Sequence, residues 1–160
     1  MTATHDGVAP ELIDAMVRLR PGGMTWRRTF PGRPAQVPEA RRFVRFLLAD
    51  SSFQRDAEQI VAELAANAVR HTASGWPCGT FVVEVVRRPE ATRVTVYDSG
   101  RGSVPAIVHP ALLGEGGRGL PLVTALASQV GCRGTQSHGH AVWAQFSTGK
   151  ASAPLRTPTA

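Results

Sequence analysis

Between residues 71 and 79 the apolar residues change from helical spacing to alternation, which divides the chain into two kinds of structure. Upstream, VPEARRFVRFLLAD repeats Phe43, Val44, Leu47 and Leu48 at helical intervals, with Arg41, Arg42 and Arg45 sharing the other side. Asp50, Ser51 and Ser52 are expected to cap a second helix that runs to His71. Downstream, residues 79–88 and 91–98 are rich in β-branched side chains. They predict an antiparallel hairpin turning at Pro89 and Glu90.

The flanking segments complete the plan. Residues 24–30 alternate with Trp26, Arg28 and Phe30 on one side, which predicts a strand, broken by the Pro31–Pro34 stretch. Residues 100–119 form a glycine-rich loop containing Pro105 and Pro110. Residues 120–130 are expected to be helical, with Pro121 tolerated in the first turn, and 140–146 a last strand. Strands and helices segregated in this order predict an α+β fold. The expected form is a two-layer sandwich, a mixed, mostly antiparallel sheet with helices on one face. The domain is drawn over 24–148, after an N-terminal tail at 1–23 with a helical turn or two and before a disordered tail at 149–160.

A net charge of +6 favours an acidic partner, protein or nucleic acid. The basic residues are almost all arginine, Lys150 being the one lysine. The phosphate loop G-x-x-x-x-G-K-[ST] is therefore absent, as is a lysine for Schiff-base chemistry. Cys78 and Cys132 lack metal-ligand spacing and are expected to be reduced thiols. No apolar run reaches membrane-spanning length, and MTATHDGVAPELID lacks the basic lead of a secretory signal. A cytoplasmic protein without a membrane partner is expected.

Polar groups interrupt the pattern at three places. In ELAANAVRHT the residues Val61, Leu64, Ala65 and Ala68 make one helical face, while Glu63 and Asn67 stand on the opposite side with Arg70 and His71 a turn further on. That side is either solvated or the wall of a site. In RVTVYDSG, Asp98 extends the row of Val94 and Val96 with a carboxylate, which needs a donor if buried. Asp98 either caps the following turn or accepts from a ligand amino group. In GEGGRGLPLV a glycine loop feeds a helix start, where free N–H groups favour an anion and Arg118 adds charge; the alternative is a mobile surface loop.

Taken together, ELAANAVRH, DSGRG and GEGGRGL resemble the N, G1 and G2 boxes of the Bergerat-fold (GHKL) ATPases, in the right order, with GHAVWAQF in the place of the terminal strand motif. Within that superfamily the chain is most similar to anti-sigma-factor serine/threonine kinases and small actinobacterial relatives. The resemblance implies ATP and Mg²⁺ as cofactors. It makes Asn67 the metal ligand, Glu63 the general base, and Asp98 the acceptor for the adenine amino group. It assigns Gly100 and Gly102 to the adenine pocket, and Gly114, Gly116, Gly117 and Gly119 to a lid hinge and phosphate cradle. Arg70, His71, Arg118 and Leu120 lie in the same motifs and are counted with the site. Two departures stand out: Ala141 is read where relatives often carry a threonine supporting the aspartate, and Pro121 where they more often have another residue. No dimerisation helix with a phospho-accepting histidine precedes the N box, so a complete sensor kinase is not expected.

The implied function is a regulator that phosphorylates a serine or threonine of an anti-anti-sigma-like antagonist and also binds a sigma factor. The alternative is a module that holds ATP or ADP and sequesters a protein partner without turnover. Such relatives often form homodimers. The row of Arg41, Arg42 and Arg45 has no aromatic platform beside it, and no direct nucleic-acid partner is expected.

Overall fold

The structure is a computed structural model that describes residues 17–20, 23–101 and 119–147. Among these, the strands are β1 (Val17–Arg20), β2 (Gly23–Pro31), β3 (Thr80–Arg87), β4 (Ala91–Tyr97), β5 (Gln129–Thr135) and β6 (Gly139–Ser147). The helices are α1 (Val37–Leu47), α2 (Gln54–His71) and α3 (Gly119–Leu126). The strands form one sheet in the order β1-β2-β3-β4-β6-β5, and each neighbouring pair is antiparallel. The expected α+β sandwich is present, with its sheet antiparallel throughout the described residues.

Strand register decides which residues meet the helices. Val83 pairs with Val96 and Val85 with Val94, and these align in turn with Val142 and Ala144 of β6. That face packs against Val44 of α1 and Ile60, Val61 and Leu64 of α2. Burying each such side chain is worth about 1.5–3 kcal/mol, so a one-residue slip that turned the row outward is strongly disfavoured. No described helix is long and apolar enough to cross a membrane.

The structure adds two strands to the plan read from the sequence. Residues 17–20, drawn as tail, form an edge strand that pairs Val17 with Trp26 and Arg20 with Gly23. Four residues are too few for their alternation to stand out, and β2 supplies the pairing. Gly23, also drawn as tail, opens β2, while residues 1–16, 21–22 and the tail at 149–160 lie outside the described residues. The helix expected over 120–130 ends at Leu126, and Gln129 opens β5. Gly131 and Gly134 weaken the strand signal there, and Ser128 N–H already donates to Gln145 O at 2.8 Å, so β6 captures the chain at once.

The expected cap of α2 is also different. Ser51 Oγ accepts from Phe53 N–H at 3.2 Å, one residue ahead of the first helical turn. Asp50 is engaged instead by both terminal nitrogens of Arg87 at 2.8 and 3.0 Å.

The arginine row of α1 is largely spent inside the fold. Arg45 grips both carboxylate oxygens of Glu58 at 2.9 and 2.7 Å, Arg41 lies 3.7 Å from the same group, and Arg42 bonds Glu39. Hydrogen bonding by Arg45 holds the Glu58 carboxyl below the usual carboxylate range, against the opposing effect of burial. A lowered carboxyl binds protons more weakly in the folded than in the unfolded chain. Its stabilising contribution is therefore whole above the ordinary carboxylate value of about 4.3 and is lost as pH falls through the lower folded value. Glu58→Gln should lower stability at neutral pH and flatten its acid dependence. Urea unfolding across an acid pH series measures both, and unchanged acid dependence would contradict the assignment.

Candidate functional site

The C-terminal end of α2 and the end of β4 are fastened together by short polar links. Thr72 leaves the helix in an extended conformation, donating its hydroxyl to Ala68 O at 2.6 Å and accepting from Ser74 N–H at 3.1 Å. Ser74 is fully buried, and its Oγ accepts from Ser99 N–H at 2.9 Å. Ala73 N–H donates to Gly100 O at 2.7 Å. The segment leaving β4 is thus held against the turn that ends the helix.

Asp98 stands at this junction. Alternation along β4 turns it to the same face as the buried Val94 and Val96, and its side chain is only 4% exposed. Its Oδ1 accepts from Gly100 N–H at 2.7 Å, from His140 N–H at 3.1 Å, and from His140 Nδ1 at 3.1 Å. A carboxylate only accepts, so Nδ1 carries the imidazole proton. Among the described residues no hydrogen bond falls on Oδ2. The other ring nitrogen, His140 Nε2, is buried and has no partner among the described residues. Gly100 lies at φ 66°, and a Cβ there would come within 2.4 Å of Gln136 O, so the turn admits glycine alone without rearrangement.

This geometry realises the turn-capping role of Asp98 through Gly100. It also corrects the reading of the terminal motif. Asp98 N–H donates to His140 O, while Ala141 pairs with Tyr97. The side chain that supports Asp98 therefore belongs to His140 and not to position 141. His140 shares its face of β6 with Val142, Ala144 and Phe146, all buried, and that parity in the sequence was the available signal. Cys132, opposite Val142 on β5, lies on the same side of the sheet. Burial, and then the charge of Asp98, push its thiol up from the ordinary range. Both Cys132 and Cys78 are free thiols.

The helix residues divide by exposure. On α2, Val61, Leu64, Ala65 and Ala68 are buried as expected, Glu63 and Asn67 are half-buried on its flank, and Arg70 and His71 are exposed. Among the described residues no hydrogen bond joins Glu63, Asn67, Arg70 or His71 to Asp98. What unites them is the backbone fastening of residues 72–74 to 99–100. Gly119 and Leu120 open α3, which packs beside α2. Gly102, Gly114, Gly116, Gly117 and Arg118 lie outside the described residues.

Among the described residues the site therefore brings together a carboxylate oxygen and a buried ring nitrogen that carry no hydrogen bond, with a polar flank on the adjoining helix. A family model described as a histidine kinase-like ATPase domain matches residues 30–146, a span that takes in α2, Asp98 and His140. Comparison with curated proteins finds no match.

Proposed function

Because this chain belongs to the histidine kinase-like ATPase domain family, we propose that it is an ATP-dependent regulator of the anti-sigma-factor type, transferring the γ-phosphate to a serine or threonine of an antagonist protein. The observation that carries the adenine end of this reading is Asp98, a buried carboxylate whose Oδ1 accepts from three of this chain's own N–H groups and whose Oδ2 receives no hydrogen bond from the described residues. An exocyclic amino group supplies the missing donor. Guanine presents a carbonyl at that position, and two facing acceptors repel, so the arrangement favours ATP over GTP. His140 holds the carboxylate in place from the side.

At the phosphate end, the Asn67 side-chain oxygen stands half-buried on α2, which suits a metal that takes one or two protein oxygens and keeps phosphate and water for the rest. Asn67 would hold Mg²⁺ there, and the metal would supply charge neutralisation to the terminal phosphates. Glu63, one turn earlier, takes the proton from the attacking hydroxyl. The family resemblance assigns Gly102, Gly114, Gly116, Gly117, Gly119 and Leu120 to the nucleotide pocket and phosphate cradle, and counts Arg70, His71 and Arg118 with them. The partners in this reading are a sigma factor and an anti-anti-sigma-like protein that carries the acceptor hydroxyl.

Calorimetric titration with ATP, repeated with Mg²⁺ removed by chelation and repeated with GTP, tests the reading. The expected result is saturable binding that weakens without Mg²⁺ and weakens with GTP. Equal heats for ATP and GTP would remove the role given to Asp98.

A further inference from the structure

The residues of β4 that alternate with Val94, Val96 and Asp98 point to the side of the sheet that no described helix covers. There Arg93 and Tyr97 help to line a cavity of about 170 Å³. Among the described residues its lining holds four guanidiniums, those of Arg27, Arg88, Arg93 and Arg133, and one carboxylate, Glu84. Glu84 is 7% exposed and is occupied, bonded by Arg27 and by the Tyr97 hydroxyl at 3.1 Å. Four positive groups against one negative group leave an excess of three positive charges. Burial and the neighbouring charges of Arg88 and Arg133 pull Arg93 below the ordinary arginine range. An incoming anion would relieve that repulsion. On the helix side the arginines of α1 meet Glu58 and Glu39, so the concentration of positive charge belongs to this face.

The cationic groups are held ready. Arg93 donates through Nε and a terminal nitrogen to Gln145 Oε1 at 3.1 and 2.7 Å, and its guanidinium carbon lies 4.2 Å from the centre of the Trp143 ring. The same ring lies against Gly131, where a Cβ would come within 2.2 Å of the indole. With its indole already engaged by Arg93 and by the backbone at Gly131, Trp143 makes a poor platform for stacking a base, which single-stranded nucleic acid would require. A second copy of the same face would set arginines against arginines. Arginine, tryptophan and tyrosine are the side chains that most often anchor protein partners.

We propose that this open face docks an acidic segment of a protein partner, seating aspartate or glutamate carboxylates among Arg88, Arg93 and Arg133. The inference does not depend on the nucleotide site, which lies on the other side of the same strand.

Poly-L-glutamate is the probe, added to the full chain at low salt and followed by calorimetry and by the NMR signal of the Trp143 indole N–H. Binding is expected to shift that signal and to weaken at least about tenfold in the double variant R88E/R133E, whose exposed positions leave folding intact. The matched charge change R41E/R42E on α1 should alter affinity by less than about twofold. Equal weakening by both double variants, or no binding by the wild type, would overturn the proposal. So would tighter binding of mixed-sequence DNA than of poly-L-glutamate through the same arginines. Asp98→Asn should leave poly-L-glutamate binding unchanged, which separates this test from that of the nucleotide site.

Discussion

Asp98→Asn should weaken ATP binding by about tenfold to a hundredfold while the domain stays folded, because one hydrogen bond to a charged group is worth roughly 1.5–3 kcal/mol. The argument rests on the asymmetry of the carboxylate. One oxygen faces Gly100 N–H, His140 N–H and His140 Nδ1–H, all donors. Asparagine has the same shape but only one accepting end. If its oxygen keeps these three donors, its NH₂ group replaces Oδ2 and faces the amino group of adenine, donor against donor. If the amide flips to receive adenine, the NH₂ group meets the protein's own donors at a buried position. Either orientation loses, and the first protects the fold at the expense of the ligand. Calorimetry gives the affinity, and thermal unfolding of the free protein shows which orientation is adopted. ATP affinity unchanged to within about twofold would place adenine elsewhere.

How far such a site can be read from a sequence depends on whether its signal is local. The flank of α2 was legible because Glu63 and Asn67 interrupt a run whose helical period is unambiguous. Asp98 was legible because two valines set the parity of β4. His140 obeys the same rule, since Val142, Ala144 and Phe146 set the parity of β6. The resemblance directs attention to Ala141, its neighbour, and one residue along a strand exchanges the two faces. The contact with Asp98 spans 42 residues, and only the β4–β6 register fixes it. The strands β1 and β5 were missed for another reason. They are edge strands, one of four residues and one carrying two glycines, and their pairing comes from the neighbouring strand more than from their own composition. The cationic cavity was likewise invisible, because Arg27, Arg93 and Arg133 come from three strands and Arg88 from the turn between β3 and β4, and they converge only in the folded sheet.

Glu63→Ala separates catalysis from binding. Glu63 is half-buried on the flank of α2, its side chain makes no hydrogen bond to another described residue, and it stands off the packed row of Val61, Leu64 and Ala65. Alanine is a stronger helix former, so the substitution should change stability by no more than about 0.5 kcal/mol. ATP affinity should change by less than about threefold, since the proposed adenine contact lies at Asp98 and the proposed metal ligand is Asn67. Removing a general base, in contrast, costs roughly a hundredfold to ten-thousandfold in rate. The measurement is ADP formation and phosphoserine in an anti-anti-sigma-type protein supplied as acceptor, compared between wild type and variant. A large loss of transfer with intact binding assigns the base. Transfer that survives the substitution removes Glu63 from that role. Saturable ATP binding by a wild type that phosphorylates no acceptor would favour the other function open to the same residues, a nucleotide-holding module that sequesters its partner. In that case Asp98 and Asn67 keep their roles, and only the proton transfer assigned to Glu63 falls away.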